Sequence, residues 1–256
     1  MNESKGPIIA KLEKNRIHPR DLGRGTETKG ISQIKSFEAS EIEEGQPASY
    51  AEKPLDLVEG KNIALDTLEM YQKLKSLGLP VVSFLKIVKR REDNQDNYYI
   101  AMEDLSEAGK NLVVEIWQPK RDPQTGKLHF VESLWKGAEN FSEIRDQMVR
   151  ALAVLHNNGI FEYHPVLSFA VVVNKSTMKS GQKYTLRFKI LDYSNFIFSG
   201  FRNAQQIKIF TEDEQTYMQE NLEPLQVFLA SNAKGRADIE NAYLKYRKQG
   251  VKTFRY

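Results

Sequence analysis

The sequence predicts an α+β fold in which a β-rich part, residues 1–103, precedes a mainly helical part, residues 104–256. Three observations predict it: short strand-like runs bounded by turn residues in the first part, longer runs with apolar residues at helical spacing, and a change of composition after Glu103. With 40% hydrophobic and 10% aromatic residues, the 256-residue chain can bury a substantial core.

The first part is predicted to place its strands around one helix. A glycine-rich turn within residues 22–37 favours a hairpin, and "ASYAEKPL" favours a third strand that ends at Pro54. Apolar residues at helical spacing predict a helix from Asn62 to Leu77, which Gly78 and Pro80 end. Two strands, "VVSFLKIVKR" and "NYYIAMEDL", follow and are joined by a polar turn. The predicted order is strand, strand, strand, helix, strand, strand.

The second part opens with a predicted linker and an irregular stretch, whose Trp117 and Trp135 are expected in the core. A helix is predicted from Phe141 to Asn157 because apolar residues recur there at helical spacing. Asn140 and Glu143 fit a capping box at its start. The predicted core stripe of this helix is Ile144, Met148, Leu152 and Leu155.

Two strand segments and two helices complete the second part. "GIFEYHPVLSFAVVVNKS" predicts a helix end, a loop and a buried strand, and "KILDYSNF" predicts another strand that an aspartate closes. The last two helices are expected near Glu212–Ser231 and Arg236–Gln249.

The composition excludes several classes of function. A net charge of +3 is too small for a dedicated nucleic-acid binder. The chain has no cysteine, which excludes disulfides, thiolate metal sites and cysteine nucleophiles. No run approaches about 18 apolar residues and no apolar signal segment stands at the start, so neither a membrane span nor a secretory signal is expected. The sequence therefore predicts a soluble protein.

Five segments occur in the order in which a protein kinase carries its motifs. They are "LGRGTETKG", "YAEKPL", "LEMYQKLKSLGLPVV", "YYIAMEDL", and "LHNNGIFEYHPVLSFAVVV" followed by "KILDYS". Each segment alone is common, whereas their order is more specific. Over roughly residues 17–196 the chain therefore resembles a protein kinase, which implies a two-lobed kinase-like fold with a shortened C-terminal lobe.

The resemblance assigns a nucleotide site for ATP and magnesium. In kinases a strand lysine holds the α- and β-phosphates, a helix glutamate fixes that lysine, and the aspartate of D-F-G binds magnesium. By resemblance these residues are Lys53, Glu69 and Asp192. Each also fits a structural role, as a strand lysine, a solvated helix glutamate and a turn aspartate.

The glycine-rich turn and the hinge complete the assigned nucleotide site. Backbone N–H groups at Gly23 and Gly25 would approach the phosphates without side-chain obstruction, although the same glycines fit an ordinary hairpin turn. The Met-Glu pair of the kinase-like hinge adds Glu103.

The chain departs from the kinase pattern where the chemistry takes place. His164 stands at the position of the catalytic aspartate and Phe169 at that of the asparagine that binds the second magnesium ion. Val166 replaces the loop lysine, and only residues 193–256 follow Asp192, with no recognisable A-P-E segment. A full substrate-binding lobe is therefore not expected.

These departures predict a pseudokinase, a nucleotide-binding or protein-interaction module without ordinary phosphoryl transfer. The alternative is an active atypical kinase-fold transferase, for which Glu162 and His164 are the nearest titratable candidates. A scaffold that binds no nucleotide is a third possibility. The short C-terminal part is similar to minimal effector kinases that some bacteria inject into host cells, so the expected location is the cytoplasm or a host cell, with a protein partner.

Overall fold

The computed structural model describes residues 9–10, 20–21, 33–36, 49–54, 60–92, 95–107, 110–116, 132–162, 167–179, 183–191, 196–198 and 218–255. The chain divides into two compact units. Residues 1–71 and 82–113 belong to the first unit, and residues 72–81 and 114–256 belong to the second.

The first unit contains a six-stranded sheet with the order β1-β5-β6-β4-β3-β2. Neighbouring strands are antiparallel except for β1, which pairs in parallel with β5. The helix α1 follows β4 along the chain, and the boundary between the units lies inside it, after residue 71. The bounds are β1 (Ile9–Ala10), β2 (Arg20–Asp21), β3 (Gln33–Ser36), β4 (Ser49–Pro54), α1 (Gly60–Ser76), β5 (Phe84–Glu92) and β6 (Gln95–Glu103).

The apolar residues of the central strands form the core of this unit. Tyr50, Val88 and Ala101 make a buried cluster, against which Leu85 and Tyr99 pack. The predicted hairpin, the strand that ends at Pro54, the helix and the two following strands are all present in the predicted order. The chain therefore has the α+β fold that the sequence predicts.

The second unit combines helices with two small antiparallel sheets. One sheet has the order β10-β9-β7, with the boundary between the units inside β7, and the other pairs β11 with β8. The bounds are β7 (Asn111–Glu115), α2 (Glu132–Lys136), α3 (Phe141–Asn157), β8 (Ile160–Glu162), β9 (Phe169–Asn174), α4 (Lys175–Lys179), β10 (Arg187–Ile190), β11 (Phe196–Phe198), α5 (218–229) and α6 (Ala233–Lys248).

The helix α3 supplies much of the core of the second unit. It occupies the predicted residues, and all four residues of the predicted stripe are buried: Ile144, Met148, Leu152 and Leu155. Trp135 is also buried, as predicted, and its indole Nε1–H donates to the carbonyl of Phe228 at 3.1 Å. Trp117 lies outside the described residues.

The predicted capping box at the start of α3 is wrong. The Asn140 Nδ2 donates to the Leu186 carbonyl at 2.9 Å, and the Leu186 N–H donates to the Asn140 Oδ1 at 2.9 Å. Glu143 instead accepts from the Gln147 Nε2 at 3.0 Å. An amide side chain presents one donor and one acceptor side by side, so Asn140 pairs with the backbone of a distant residue rather than with its own helix.

Candidate functional site

The segment that resembles a kinase catalytic loop lies between β8 and β9. Gly159, with φ +67°, ends α3 in the left-handed conformation that glycine adopts readily, and β8 follows at once. β8 ends at Glu162 and β9 begins at Phe169. Residues 163–166, which include His164, lie outside the described residues. The described residues at both ends of this loop therefore define the candidate site.

A carboxylate holds the two ends of the loop together. Glu162 is 1% exposed, and its Oε1 and Oε2 accept the Ser168 N–H at 2.9 and 2.8 Å. The Ser168 hydroxyl also donates to Oε1. Because hydrogen bonds to a carboxylate are stronger than neutral ones, this clamp fixes the spacing of the loop ends.

A second buried network supports the clamp from α5 and α6. The Asn221 Oδ1 accepts the Glu162 N–H at 3.1 Å, and the Asn221 Nδ2 donates to the Glu162 carbonyl at 3.4 Å. His156 joins the same network, with Nε2 at 3.3 Å from the Asn221 Oδ1 and Nδ1 at 2.7 Å from the Tyr243 hydroxyl. The network therefore ties β8 to three helices.

The partners of His156 determine its tautomer. The Asn221 Oδ1 can only accept, so the proton of a neutral His156 sits on Nε2, and Nδ1 accepts from the Tyr243 hydroxyl. The pKa of His156 is lowered to about 3, mainly by burial and also by the nearby Arg247, while the hydrogen bond to Asn221 raises it. The ring also stacks on Phe161, with the centroids 5.0 Å apart. His156 is therefore a neutral residue of the core at ordinary pH.

Replacing Asn221 by alanine is expected to lower the free energy of unfolding by about 1–3 kcal/mol, because the buried N–H of Glu162 and the Nε2–H of His156 lose their acceptor. Urea unfolding of the variant measures the change. Asn241, which is exposed on α6, provides the control, since Asn241→Ala should stay within about 0.5 kcal/mol of the wild type. Equal effects of the two substitutions would contradict a supporting role for Asn221.

Phe169 lies in the core of its sheet. The residue is 0% exposed, and its ring centroid lies 4.9 Å from that of Phe188, at an interplanar angle of 60°. Its N–H donates to the Leu167 carbonyl at 2.7 Å, and its carbonyl accepts the Ile116 N–H at 2.8 Å. The side chain at the position of the kinase asparagine is therefore packed on apolar neighbours and fixed by the backbone on both sides.

The described residues include some of the residues assigned by resemblance to a nucleotide site. Lys53 lies on β4, a central strand of the sheet, where it pairs with Ile100 of β6. The side chain of Lys53 lies outside the described part. Glu69 is exposed on α1. The ion pair between Lys53 and Glu69 stays a prediction. Gly23, Gly25, His164 and Asp192 lie outside the described residues, so their assigned roles stay predictions as well.

Glu103 and the residue after it organise the turn that follows β6. The Glu103 N–H donates to the Ser83 carbonyl at 2.9 Å, and its Oε2 accepts the Ser83 N–H at 3.2 Å. Asp104 is buried and accepts the Ser106 N–H at 2.9 Å and the Ser106 hydroxyl at 2.6 Å. Both carboxylates thus bind backbone groups of their own unit.

Sequence reasoning missed the residues that support the loop. His156, Ser168 and Asn221 gave no motif, and their partners lie up to 87 residues away along the chain. One local signal existed, because His156 stands one turn after Leu152 on the buried stripe of α3, where a polar residue needs a partner.

The described residues give two negative findings. Within them, no group of three or more histidine, aspartate or glutamate side chains is placed to hold a metal ion. None of their helices is both long enough and apolar enough to cross a membrane.

Comparison with known proteins gives matches among solved structures. No protein-family model and no curated protein matches the chain. Among solved structures, the chain is similar to one described as "WaaP in complex with acyl carrier protein", with 11% sequence identity and a TM-score of 0.46 over 91% of this chain and 81% of that chain.

Proposed function

We propose that this protein is a pseudokinase, a kinase-fold binding module that lacks ordinary phosphoryl transfer. The observation that supports the proposal best is the burial of Phe169 in the position where the kinase pattern has a metal-binding asparagine. Magnesium binds through oxygen ligands. A second magnesium site therefore does not fit the residues at the start of β9.

The surroundings of Glu162 also support the proposal. A general base must lie within hydrogen-bond reach of the acceptor hydroxyl. The carboxylate of Glu162 is buried and already accepts three hydrogen bonds from Ser168. Of the two titratable candidates, this leaves His164 to orient an acceptor, and an imidazole there differs in charge from the usual carboxylate.

The proposed role in binding keeps the nucleotide site. Lys53, Glu69 and Asp192 would hold the phosphates and one magnesium ion, with backbone at Gly23 and Gly25 beside the phosphates. Because one of the two metal ligands is missing, we expect ATP to bind weakly and with partial dependence on magnesium. The biological effect would then be exerted through a bound protein partner.

Nucleotide binding and transfer are tested on the same protein. Calorimetry with ATP, with and without magnesium, is expected to give weak binding that Lys53→Met reduces further. Lys245→Met is the control, because Lys245 is exposed on α6, and it should leave binding unchanged. Tight magnesium-dependent binding that Lys53→Met does not affect would contradict the assigned phosphate site.

Incubation with labelled ATP then separates the pseudokinase from an active transferase. With γ-labelled ATP, no phosphate is expected on the protein itself or on generic substrates. Robust incorporation that Asp192→Ala abolishes would overturn the proposal in favour of an atypical kinase-fold transferase. Transfer of label from α-labelled ATP alone would instead indicate nucleotidyl transfer.

A further inference from the structure

The last described residues of the chain return to the core of the second unit. Residues 251–255, here called the strap, follow α6 and Gly250, which has φ +60°. The side-chain amide of Asn157 donates to the Val251 carbonyl at 2.9 Å, and that of Asn158 donates to the Lys252 carbonyl at 3.0 Å. The first half of the strap is therefore held on the end of α3.

The second half of the strap packs on the end of α1. Phe254 is 5% exposed, and its N–H donates to the Leu77 carbonyl at 2.7 Å. Gly78 has φ +78°, and a Cβ at this position would lie 2.3 Å from the Phe254 carbonyl oxygen. The approach of the two backbones is so close that it requires a glycine.

The residues between α1 and β5 also contact β10. Residues 77–81, here called the connector, lead from α1 towards β5. The Ile190 N–H donates to the Pro80 carbonyl at 3.0 Å, and Val81 forms a parallel bridge with Ile190. The connector thus has backbone hydrogen bonds to the strap at one end and to β10 at the other, all within the second unit.

The helix before the connector, α1, and the strand bonded to it, β10, both lead to residues of the proposed nucleotide site. α1 carries Glu69, and β10 is followed after one residue by Asp192. We propose that the strap is a positioning device: it holds the connector in place, and its release loosens the end of α1 and β10 together. The link to nucleotide binding rests on the proposed function, whereas the coupling of strap, connector and β10 does not.

Two glycines allow a matched test of the coupling. Gly78→Ala introduces left-handed strain and a collision with the strap, while Gly250→Ala introduces the same kind of strain with no atom within 4 Å of the new Cβ. Hydrogen exchange followed by mass spectrometry measures the result. We expect Gly78→Ala to speed exchange in residues 77–81 and 187–190 by about tenfold or more, with α3 unchanged. Gly250→Ala should leave residues 77–81 and 187–190 as in the wild type.

A milder variant keeps the test decisive if Gly78→Ala does not fold. Phe254→Ala removes the buried ring and keeps the backbone, so it should give the same local pattern in a smaller amount, and Phe254→Leu should restore most of the protection. Equal effects of the two glycine variants would overturn the proposal. So would faster exchange in the connector without any in β10, or a uniform increase that includes α3.

Nucleotide binding provides the second readout. Calorimetry with Mg-ATP is expected to show weaker binding for Phe254→Ala and wild-type binding for Gly250→Ala. If the wild-type protein binds no ATP, the proposed function fails, and the exchange pattern still decides whether the strap controls the connector and β10.

Discussion

Replacing Phe169 by asparagine is expected to destabilise the protein by about 3–5 kcal/mol and not to create a metal site. The substitution removes a fully buried ring from its contact with Phe188 and leaves a polar amide among apolar neighbours. Chemical denaturation measures the loss of stability. The cost arises because Phe169, which stands where the kinase pattern has an asparagine, occupies a core position in this chain.

Phe169→Leu is the matched control for this prediction. It keeps an apolar side chain on β9 and should cost clearly less than Phe169→Asn. The double variant His164→Asp with Phe169→Asn is expected to show no transfer of γ-phosphate. A stable Phe169→Asn variant that gains magnesium-dependent ATP binding would contradict both the packing argument and the pseudokinase proposal.

The free energy of unfolding is expected to decrease as the pH is lowered, because of His156. Its pKa is about 3 in the folded protein and 6.5 in the unfolded chain, so below pH 6.5 the unfolded chain binds a proton that the folded protein does not. Above pH 6.5 His156 does not lower the free energy of unfolding. Between pH 6.5 and pH 3 it lowers this free energy by up to about 1.4 kcal/mol per pH unit, which amounts to roughly 3 kcal/mol at pH 4.

The contribution of His156 is separated from that of the carboxylates by comparing the wild type with His156→Gln. Urea unfolding is measured for both from pH 7 to pH 4. The variant should be less stable at pH 7, since Tyr243 and Asn221 lose their ring partner, and its stability should depend less on pH. The two curves are expected to converge as the pH falls. Parallel curves would show that His156 is not the group responsible.

Strong periodicity explains what the sequence could predict. The stripe of α3 repeats every three or four residues over about three turns, so both the bounds of the helix and its buried face were predictable. The β-rich part was predictable for the same reason, since turn residues separate its strands. β7 was missed, and the segment after Glu103 was interpreted as a linker, because a five-residue strand whose partner β9 lies far along the chain has a weak local signal.

The candidate site was predictable only in its outline. The resemblance placed the loop between a helix and a buried strand, and it aligned Phe169 with the asparagine of the kinase pattern. It could not predict that Glu162 would be bound by Ser168, or that His156 would meet Tyr243 and Asn221, because these partners come together only in the folded chain. Polar contacts between distant segments have no period to detect.

The pairing of Asn140 with Leu186 affects how the chain would tolerate sequence variation. A survey of substitutions guided by helix rules would treat position 140 as a cap and would accept serine, threonine or aspartate. Aspartate has no donor for the Leu186 carbonyl, and serine and threonine carry one short hydroxyl in place of the separate amide nitrogen and oxygen, so each would weaken the pairing with Leu186. In a saturation library, position 140 should therefore select asparagine in particular, although it directly precedes the first turn of a helix.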